Sequence, residues 1–158
     1  DEKIDPLKLA RRLSAEKAKA VAKKHTNAII IAADTFISFR GKLLGKPHTN
    51  EEARKMLKML TGKSHSVVTG YTIIDTAQKK KVSRSVETRV WFKKMTNEEI
   101  ESYIHSGEPL DKAGAYAIQG LGAVLIKKIE GDFFNVVGLP LFDLVQQLKK
   151  FGIHVFER

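Results

Sequence analysis

The segment "NAIIIAADTFISFRGKLLGKP", residues 27–47, decides the fold. Residues 28–39 are mostly apolar and rich in β-branched side chains, a pattern typical of a buried strand. Residues 40–41, Arg-Gly, then mark a hairpin turn, and residues 42–45 return as a second strand. The segment therefore predicts a β-hairpin at the centre of the fold.

Asp34 and Thr35 stand out because they place polar groups at or near the end of the apolar part of this strand. An ionised carboxylate buried without a partner costs several kcal/mol. Asp34 therefore requires either a positively charged partner or a cleft that admits water.

The rest of the chain alternates strands and helices joined by short turns. Helices are predicted over residues 6–24, from the cap at Thr49 to Gly62, after the cap at Thr96, and from Pro140 to near Gly152. Strands are predicted over residues 28–39, 42–45, 66–75 with a break at Gly70, 81–92, 122–130 and 133–137, with a loop over 106–121. This order predicts an α/β fold with a mixed, largely antiparallel sheet, in a single domain over residues 1–158 with room for two lobes.

Composition excludes several classes of protein. The chain has 158 residues, 42% hydrophobic and 29% charged, as expected of a globular protein with a proper core. No apolar run reaches the roughly 18 residues of a membrane span, and no signal peptide is recognisable. The absence of cysteine excludes disulfides, thiol nucleophiles and cysteine zinc sites. We therefore expect a cytoplasmic protein with no membrane partner.

The net charge of +10 raises the question of a nucleic-acid partner. The lysines, however, are scattered over predicted outer helix faces and one turn: Lys8, Lys19, Lys23, Lys24, Lys55, Lys58, Lys79, Lys80 and Lys81. Such scatter is more typical of a solvated surface than of a docking stripe, so no nucleic-acid partner is expected. A positive field attracts a small polyanion such as a nucleoside triphosphate equally well.

Familiar site motifs fail on inspection. "LTGKS", residues 60–64, lacks the earlier P-loop glycine and follows a helix, and "GLGAVL", residues 120–125, ends in leucine before a strand. No G-x-S-x-G segment is present. The histidines lack the short paired spacing of zinc ligands and are expected to be surface or structural residues: His25, His48, His65, His105 and His154.

Lys17 occupies an unusual place in the first predicted helix. Apolar residues recur at Leu9, Leu13 and Val21, and Lys17 fills the gap in that series beside Ala20. A lysine on this buried face either extends its ammonium group to solvent or contacts an anion. The spacing favours neither alternative.

Further polar groups gather at the ends of predicted elements. Lys46 ends the hairpin, and the loop over residues 107–120 contains Asp111, Lys112 and Gln119. Lysines bind phosphate oxygens, carboxylates bind divalent ions or accept protons, and an amide can contact the edge of a base. These groups indicate a site for a phosphorylated, base-containing ligand; the alternative is a salt-bridged surface loop.

Six blocks of sequence resemble, in order and approximate spacing, those of the Maf family of nucleoside triphosphate pyrophosphatases. The blocks are "RRLSAEKAKAVA", "AADTFI", "GKLLGKP", "EEARKMLKMLTGKSHSVVTG", "SGEPLDKAGAYAIQG" and "NVVGLPL". The resemblance implies hydrolysis of a nucleoside triphosphate to monophosphate and pyrophosphate with a divalent metal, Mg²⁺ or Mn²⁺. It also implies a homodimer and a fold with a deep cleft, similar to that of inosine triphosphate pyrophosphatases.

Residue roles follow from the matching motifs. The resemblance implies that Asp34 accepts the proton of the attacking water, either directly or by holding the metal. It implies substrate contacts by Thr35 and Gln119, tied to base preference, and by Lys17, Lys46, Asp111, Lys112 and Glu2. For Lys17, the resemblance thus favours the anion contact.

The resemblance also narrows the substrate. The motifs D-T and K-A-G-A-Y-x-I-Q-G are typical of the branch that acts on dTTP and UTP. We therefore expect the substrates to be these nucleotides and modified pyrimidine relatives. Alternatives are a 7-methyl-GTP or non-canonical purine pyrophosphatase, or a catalytically impaired nucleotide- or nucleic-acid-binding protein. Family members begin with a strand and an S-x-S-P-R-R-type loop that contributes to the phosphate site, and this sequence starts after the corresponding position. Either the protein lacks that segment or the segment lies outside this sequence.

Overall fold

A computed structural model describes residues 5–156 of the chain. The strands are β1 (Ile29–Phe39), β2 (Lys42–Leu44), β3 (Ser64–Asp75), β4 (Lys80–Phe92) and β5 (Ile126–Glu130). The helices are α1 (Pro6–Ala22), α2 (Asn50–Leu60), α3 (Asn97–His105), α4 (Phe133–Val137) and α5 (Leu141–Leu148), with short 3₁₀ turns at Glu108–Asp111, Ala113–Ala115, Leu121–Leu125 and Lys149–Phe151. The strands pair in the order β2-β1-β3-β4-β5, and every pairing between them is antiparallel. The predicted α/β fold with a largely antiparallel sheet flanked by helices is confirmed.

Helix α1 covers one face of the sheet and buries its small residues. The Asp5 carboxylate caps its start by accepting the N–H groups of the first turn. The prediction that Val21 continues the buried stripe and that Ala20 lies on it beside Lys17 is wrong, because Val21 is 44% exposed and Ala20 is exposed. The fully buried residues are Ala10, Ser14 and Ala18. Small side chains lie inward because the helix backbone approaches the sheet closely.

Gly70 explains this close approach. The break predicted there is wrong, since β3 runs without interruption through Ser64–Asp75. A Cβ atom at Gly70 would overlap the Ala10 carbonyl and lie 2.7 Å from the Arg11 nitrogen. Glycine is therefore present because α1 lies directly on β3 at this point, and not because the strand ends.

Strand β1 carries the two polar residues in its middle. Asp34 pairs across from Gly70, and Thr35 pairs across from Thr69, so the prediction that Asp34 lies near the end of a strand is wrong. Successive strand residues point to opposite faces of a sheet. Asp34 therefore faces α1, and Thr35 faces the layer on the other side.

That second layer contains the remaining helices. Thr49 caps α2 and Thr96 forms a capping box with Glu99 at α3, as the sequence predicts. The main core cluster includes Ile37, Phe39, Leu57, Leu60, Val67, Val90, Phe92, Ile100 and Ile104. No helix within residues 5–156 is long and apolar enough to cross a membrane.

Residues 121–137 differ from the prediction. Leu121–Leu125 is a 3₁₀ turn, and the strand predicted over residues 133–137 is helix α4. The Asp132 carboxylate caps α4 by accepting the N–H of Asn135 at 3.1 Å, and Gly138, at φ 134°, ends it. A short apolar run fits a buried strand and a buried helix equally well, so periodicity could not separate the two.

Candidate active site

A cavity of about 550 Å³ lies along the edge of β1. Strand β2 pairs only with Ile37, Ser38 and Phe39, so the preceding part of this edge has no paired strand among residues 5–156. Ala33, Asp34 and Thr35 all line the cavity. Because these successive side chains point to opposite faces, the cavity extends around the edge of the strand.

The cavity brings together the residues singled out in the sequence, except one. Its lining includes Lys17, Asp34, Thr35, Lys46, Asp111, Lys112 and Gln119. Glu2 lies outside the described residues. These seven residues come from four separate parts of the chain. The fold therefore brings them together, as the hypothesis of a common site requires.

Asp34 has a positively charged partner, one of the two environments expected for it from the sequence. The Lys17 ammonium, on α1, forms an ion pair with the Asp34 carboxylate on β1. The Lys17 side chain is 54% exposed and that of Asp34 is 23% exposed. Lys17 therefore contacts an anion, yet it is not on the buried helix face where the spacing placed it. Its ammonium remains accessible to a ligand in the cavity.

Two further lysines reach the cavity from adjoining loops. Lys46 follows Gly45, whose carbonyl accepts the N–H of Gly114 at 2.9 Å. This bond ties the end of the hairpin to the loop that carries Lys112. The Lys112 ammonium lies 3.3 Å from the carboxylate of its neighbour Asp111, whose side chain is 73% exposed. Three ammonium groups and two carboxylates thus belong to the lining of one cavity.

The rest of the cavity lining is mostly apolar, and we call this part the apolar end. It is lined by Ile37, Val67, Tyr116, Ala117, Ile118, Val136, Val137 and Gly138. The Tyr116 hydroxyl lies 2.7 Å from Nε2 of the buried His65. Burial lowers the pKa of His65 to about 4, so the ring stays neutral at neutral pH. His65 is therefore structural, as predicted, and it holds Tyr116 in the cavity wall.

Glu108 anchors the loop that carries Gln119. Its Oε1 accepts the Tyr103 hydroxyl at 2.7 Å and the Gly122 N–H at 2.8 Å. Its Oε2 accepts the Leu121 N–H at 2.9 Å. Burial alone raises the pKa of Glu108, but these hydrogen bonds outweigh it and hold the pKa below its ordinary value.

Gly120 lets the loop approach Glu108 closely. Its φ of 87° favours glycine, and a Cβ there would lie 2.5 Å from Glu108 Oε2. Gln119 precedes this glycine directly. The Glu108 carboxylate therefore positions Gln119 through the backbone, without a contact to it.

Comparison with known proteins agrees with this geometry. Residues 1–151 match the family model described as "Maf-like protein". The chain belongs to the Maf-like family. It is 53% identical over 154 residues to the dTTP/UTP pyrophosphatase of Methanosarcina barkeri, covering 98% of this chain and 78% of that protein. The dTTP/UTP pyrophosphatase of Carboxydothermus hydrogenoformans is 52% identical over 149 residues, covering 94% and 80%. That of Bacillus cereus is 45% identical over 150 residues, covering 95% and 78%.

The donors in this Maf-like cavity suit a metal that arrives with a ligand. Within the described part of the chain, no group of three or more His, Asp or Glu side chains could hold a metal ion. Asp34 and Asp111 are the carboxylates in the cavity lining. Mg²⁺ is commonly held by one or two carboxylates together with substrate phosphates. The donor set therefore fits a divalent ion shared with phosphate oxygens.

Sequence reasoning missed several residues that shape the Maf-like site. Glu108 lies in the same quoted block as Asp111 and Gln119, and the glycine at 120 was a signal of a close approach. Thr69 and Asn135 were missed because their roles depend on hydrogen bonds between distant parts of the chain. Neither residue belongs to a local motif.

We predict that Glu108→Gln lowers stability at pH 7 by about 1–3 kcal/mol and raises KM for the nucleotide, because an amide cannot accept all three hydrogen bonds. The folded pKa of Glu108 is depressed, so its contribution is present above its unfolded pKa, near 4.5, and is lost as pH falls through the folded pKa. The difference in melting temperature between the two proteins should therefore shrink below pH 4.5. Thermal denaturation between pH 7 and pH 3 measures it. Glu87→Gln, on the exposed face of β4, is the control; a pH-independent difference would contradict the prediction.

Proposed function

We propose that this chain hydrolyses dTTP and UTP to the monophosphate and pyrophosphate. The observation that carries the proposal is the convergence of Asp34 with Lys17, Lys46 and Lys112 in one cavity that also has an apolar end. Three cationic groups suit a triphosphate, and the apolar end suits a base and sugar. The volume of about 550 Å³ lies within the ordinary range for small-molecule sites.

In the proposed reaction, water attacks the α-phosphorus and the bond to the bridging oxygen breaks, releasing pyrophosphate. Asp34 holds the water and accepts its proton. Lys17 pairs with this carboxylate before the substrate binds, and Lys46 and Lys112 stabilise the charge that develops on the phosphate oxygens. A divalent metal, Mg²⁺ or Mn²⁺, held by Asp34 and the phosphates would lower the pKa of the water and neutralise charge. Asp111, whose side chain is more exposed than that of Asp34, contributes to substrate binding at the edge of the cavity.

The choice of a pyrimidine base rests on two polar side chains of the cavity lining. Thr35 and Gln119 can each form hydrogen bonds with the edge of a base. Similar proteins from two Methanosarcina species are named dTTP/UTP pyrophosphatase, which supports the same substrates for this chain. A 7-methyl-GTP or other purine substrate is the competing specificity within the same reaction.

We propose that the polyanion bound is small and is not a nucleic acid. The lysines that converge do so inside a cavity, where a triphosphate fits and a duplex does not. We also propose, from the family resemblance, that the chain acts as one domain in a cytoplasmic homodimer.

A nucleotide panel tests the proposed activity. Pyrophosphate release should be measured from dTTP, UTP, CTP, 7-methyl-GTP and ITP, with Mg²⁺ or Mn²⁺. We expect dTTP and UTP to give the highest kcat/KM, by roughly tenfold or more over the purine nucleotides, because a single ring fits the apolar end. Faster hydrolysis of a purine nucleotide would reject the pyrimidine specificity, and release of pyrophosphate from none would reject the activity.

A further inference from the structure

A chain of hydrogen bonds runs behind Thr35, away from the cavity. Thr35 Oγ1 lies 2.8 Å from Thr69 Oγ1 and 3.3 Å from the Gly138 carbonyl oxygen. Thr69 Oγ1 in turn lies 3.1 Å from the Asn135 carbonyl oxygen. Thr69 and Asn135 are fully buried. The chain links β1 and β3 to α4, which forms part of the cavity wall.

The acceptor at the end of this chain is fixed in place. The Asn135 side-chain amide donates to the Val67 carbonyl at 3.1 Å and to Thr88 Oγ1 at 3.0 Å. Thr88 also exchanges hydrogen bonds with the backbone of Asp132, at the start of α4. The Asn135 carbonyl therefore keeps its position opposite Thr69.

The number of hydroxyl hydrogens in this chain determines whether Thr35 can donate or accept a hydrogen bond on the cavity side. Each hydroxyl has one hydrogen, and the two carbonyl oxygens only accept. In the favoured arrangement Thr69 donates to the Asn135 carbonyl and Thr35 donates to Thr69. In the other, Thr69 donates to Thr35 and Thr35 donates to Gly138, which leaves the buried Asn135 carbonyl without its donor and is therefore disfavoured. In both arrangements the hydrogen of Thr35 is used within the protein. What Thr35 offers to the cavity is an oxygen lone pair.

We propose that Thr69 and the Asn135 carbonyl act as positioning groups that make Thr35 a hydrogen-bond acceptor, and that the site therefore selects a base with a ring N–H. Resting on the proposed function, this assigns the contact to the N3–H of uracil and thymine. Cytosine has the same ring size, but its N3 is an acceptor and faces the Thr35 oxygen without a hydrogen between them.

Accepting cytosine requires the chain to rearrange. Thr35 would have to turn its hydrogen toward the base, which leaves either the Asn135 carbonyl without its donor or the two hydroxyl oxygens in contact without a hydrogen. A buried group without its hydrogen-bond partner is costly, so discrimination of roughly tenfold or more against CTP is expected.

The experiment compares UTP with CTP in the wild type and in Thr69→Val. Binding of the α,β-methylene analogues of both nucleotides, which resist cleavage, is measured by calorimetry, and kcat/KM is measured for the natural pair. In Thr69→Val the Thr35 hydrogen keeps only the distant Gly138 oxygen and is free to turn toward the ligand. The UTP-to-CTP ratio should fall by roughly tenfold, mainly because CTP improves. A ratio of two substrates on one protein sample does not depend on how much of the variant is folded.

Three further variants make the result specific. Thr72→Val is the matched control, because Thr72 is also fully buried on β3, but its hydroxyl contacts Ser14 and Ser83 and not the cavity residue Thr35. Its ratio should equal that of the wild type. Thr35→Val should lower the ratio and Thr35→Ser should keep it. An unchanged ratio in both Thr69→Val and Thr35→Val would overturn the proposal even if UTP is hydrolysed normally. Equal binding of the two analogues by the wild type would overturn it whether or not the chain has pyrophosphatase activity.

Discussion

Asp34→Asn should lower kcat for UTP and dTTP by about 10²–10⁴-fold while leaving the fold intact, because a positioned general base contributes about this much. Asparagine matches aspartate in shape and can still accept a hydrogen bond from Lys17, but it cannot accept the proton of the attacking water. Pyrophosphate release measures the loss, and circular dichroism with thermal denaturation measures the fold. A variant that releases pyrophosphate at close to the wild-type rate would refute the role of Asp34.

Asp111→Asn is the matched control for Asp34→Asn, because it removes a carboxylate from the same cavity. Its side chain is far more exposed and is bonded only to the neighbouring Lys112 among the contacts of the described residues. We expect a loss of less than about tenfold, as for a charge at the edge of a site. A titration with Mg²⁺ or Mn²⁺ then separates two roles of Asp34. If high metal concentration restores the activity of Asp34→Asn, Asp34 acts by binding the metal. If it does not, Asp34 acts by accepting the proton of the attacking water.

Gly70→Ala should destabilise the protein by about 3 kcal/mol or more, at the upper end of what overpacking costs. The new Cβ would overlap backbone atoms of Ala10, which cannot rotate away as a side chain can. Helix α1 would have to move off the sheet, which stretches the 2.8 Å contact between Ser14 and Thr72 and the 2.7 Å bond from Arg11 to Ser85. For a chain of this size the melting temperature should fall by about 6–12 °C.

Gly45→Ala tests whether the Gly70 effect comes from the contact with α1. No atom lies within 4 Å of a Cβ built at Gly45. Its free energy of unfolding should change by no more than about 0.5 kcal/mol, as is usual for surface substitutions, so its melting temperature should change by no more than about 1–2 °C. Similar losses in the two variants would indicate that the effect comes from the flexibility of glycine and not from helix packing.

Elements whose signals are local could be predicted from the sequence. The capping residues Thr49 and Thr96 placed two helices, and the Arg40-Gly41 turn placed the hairpin. The family resemblance then selected the residues that the cavity gathers. The predicted helix starts and hairpin were confirmed because each depends on neighbours within a few positions.

Features that depend on contacts between distant residues could not be predicted. Helix α4 forms where Asn135 is bonded to Val67 and Thr88, which lie far away in the chain. Gly70 was interpreted as a strand break because the approach of α1 is invisible in the sequence around it. The direction of the Thr35 hydrogen depends on Thr69, and no motif connects these two residues.

The extension of the cavity around the edge of β1 has a consequence for how a nucleotide is recognised. Asp34 and Lys17 lie on one face of the sheet and Thr35 on the other, so a nucleotide that contacts both Asp34 and Thr35 would have to straddle the strand. A nucleoside and an inorganic polyphosphate would then occupy separate halves and bind without competing. In the nucleotide these two fragments are covalently linked, so the chelate effect would give the nucleotide a higher affinity than either fragment has alone.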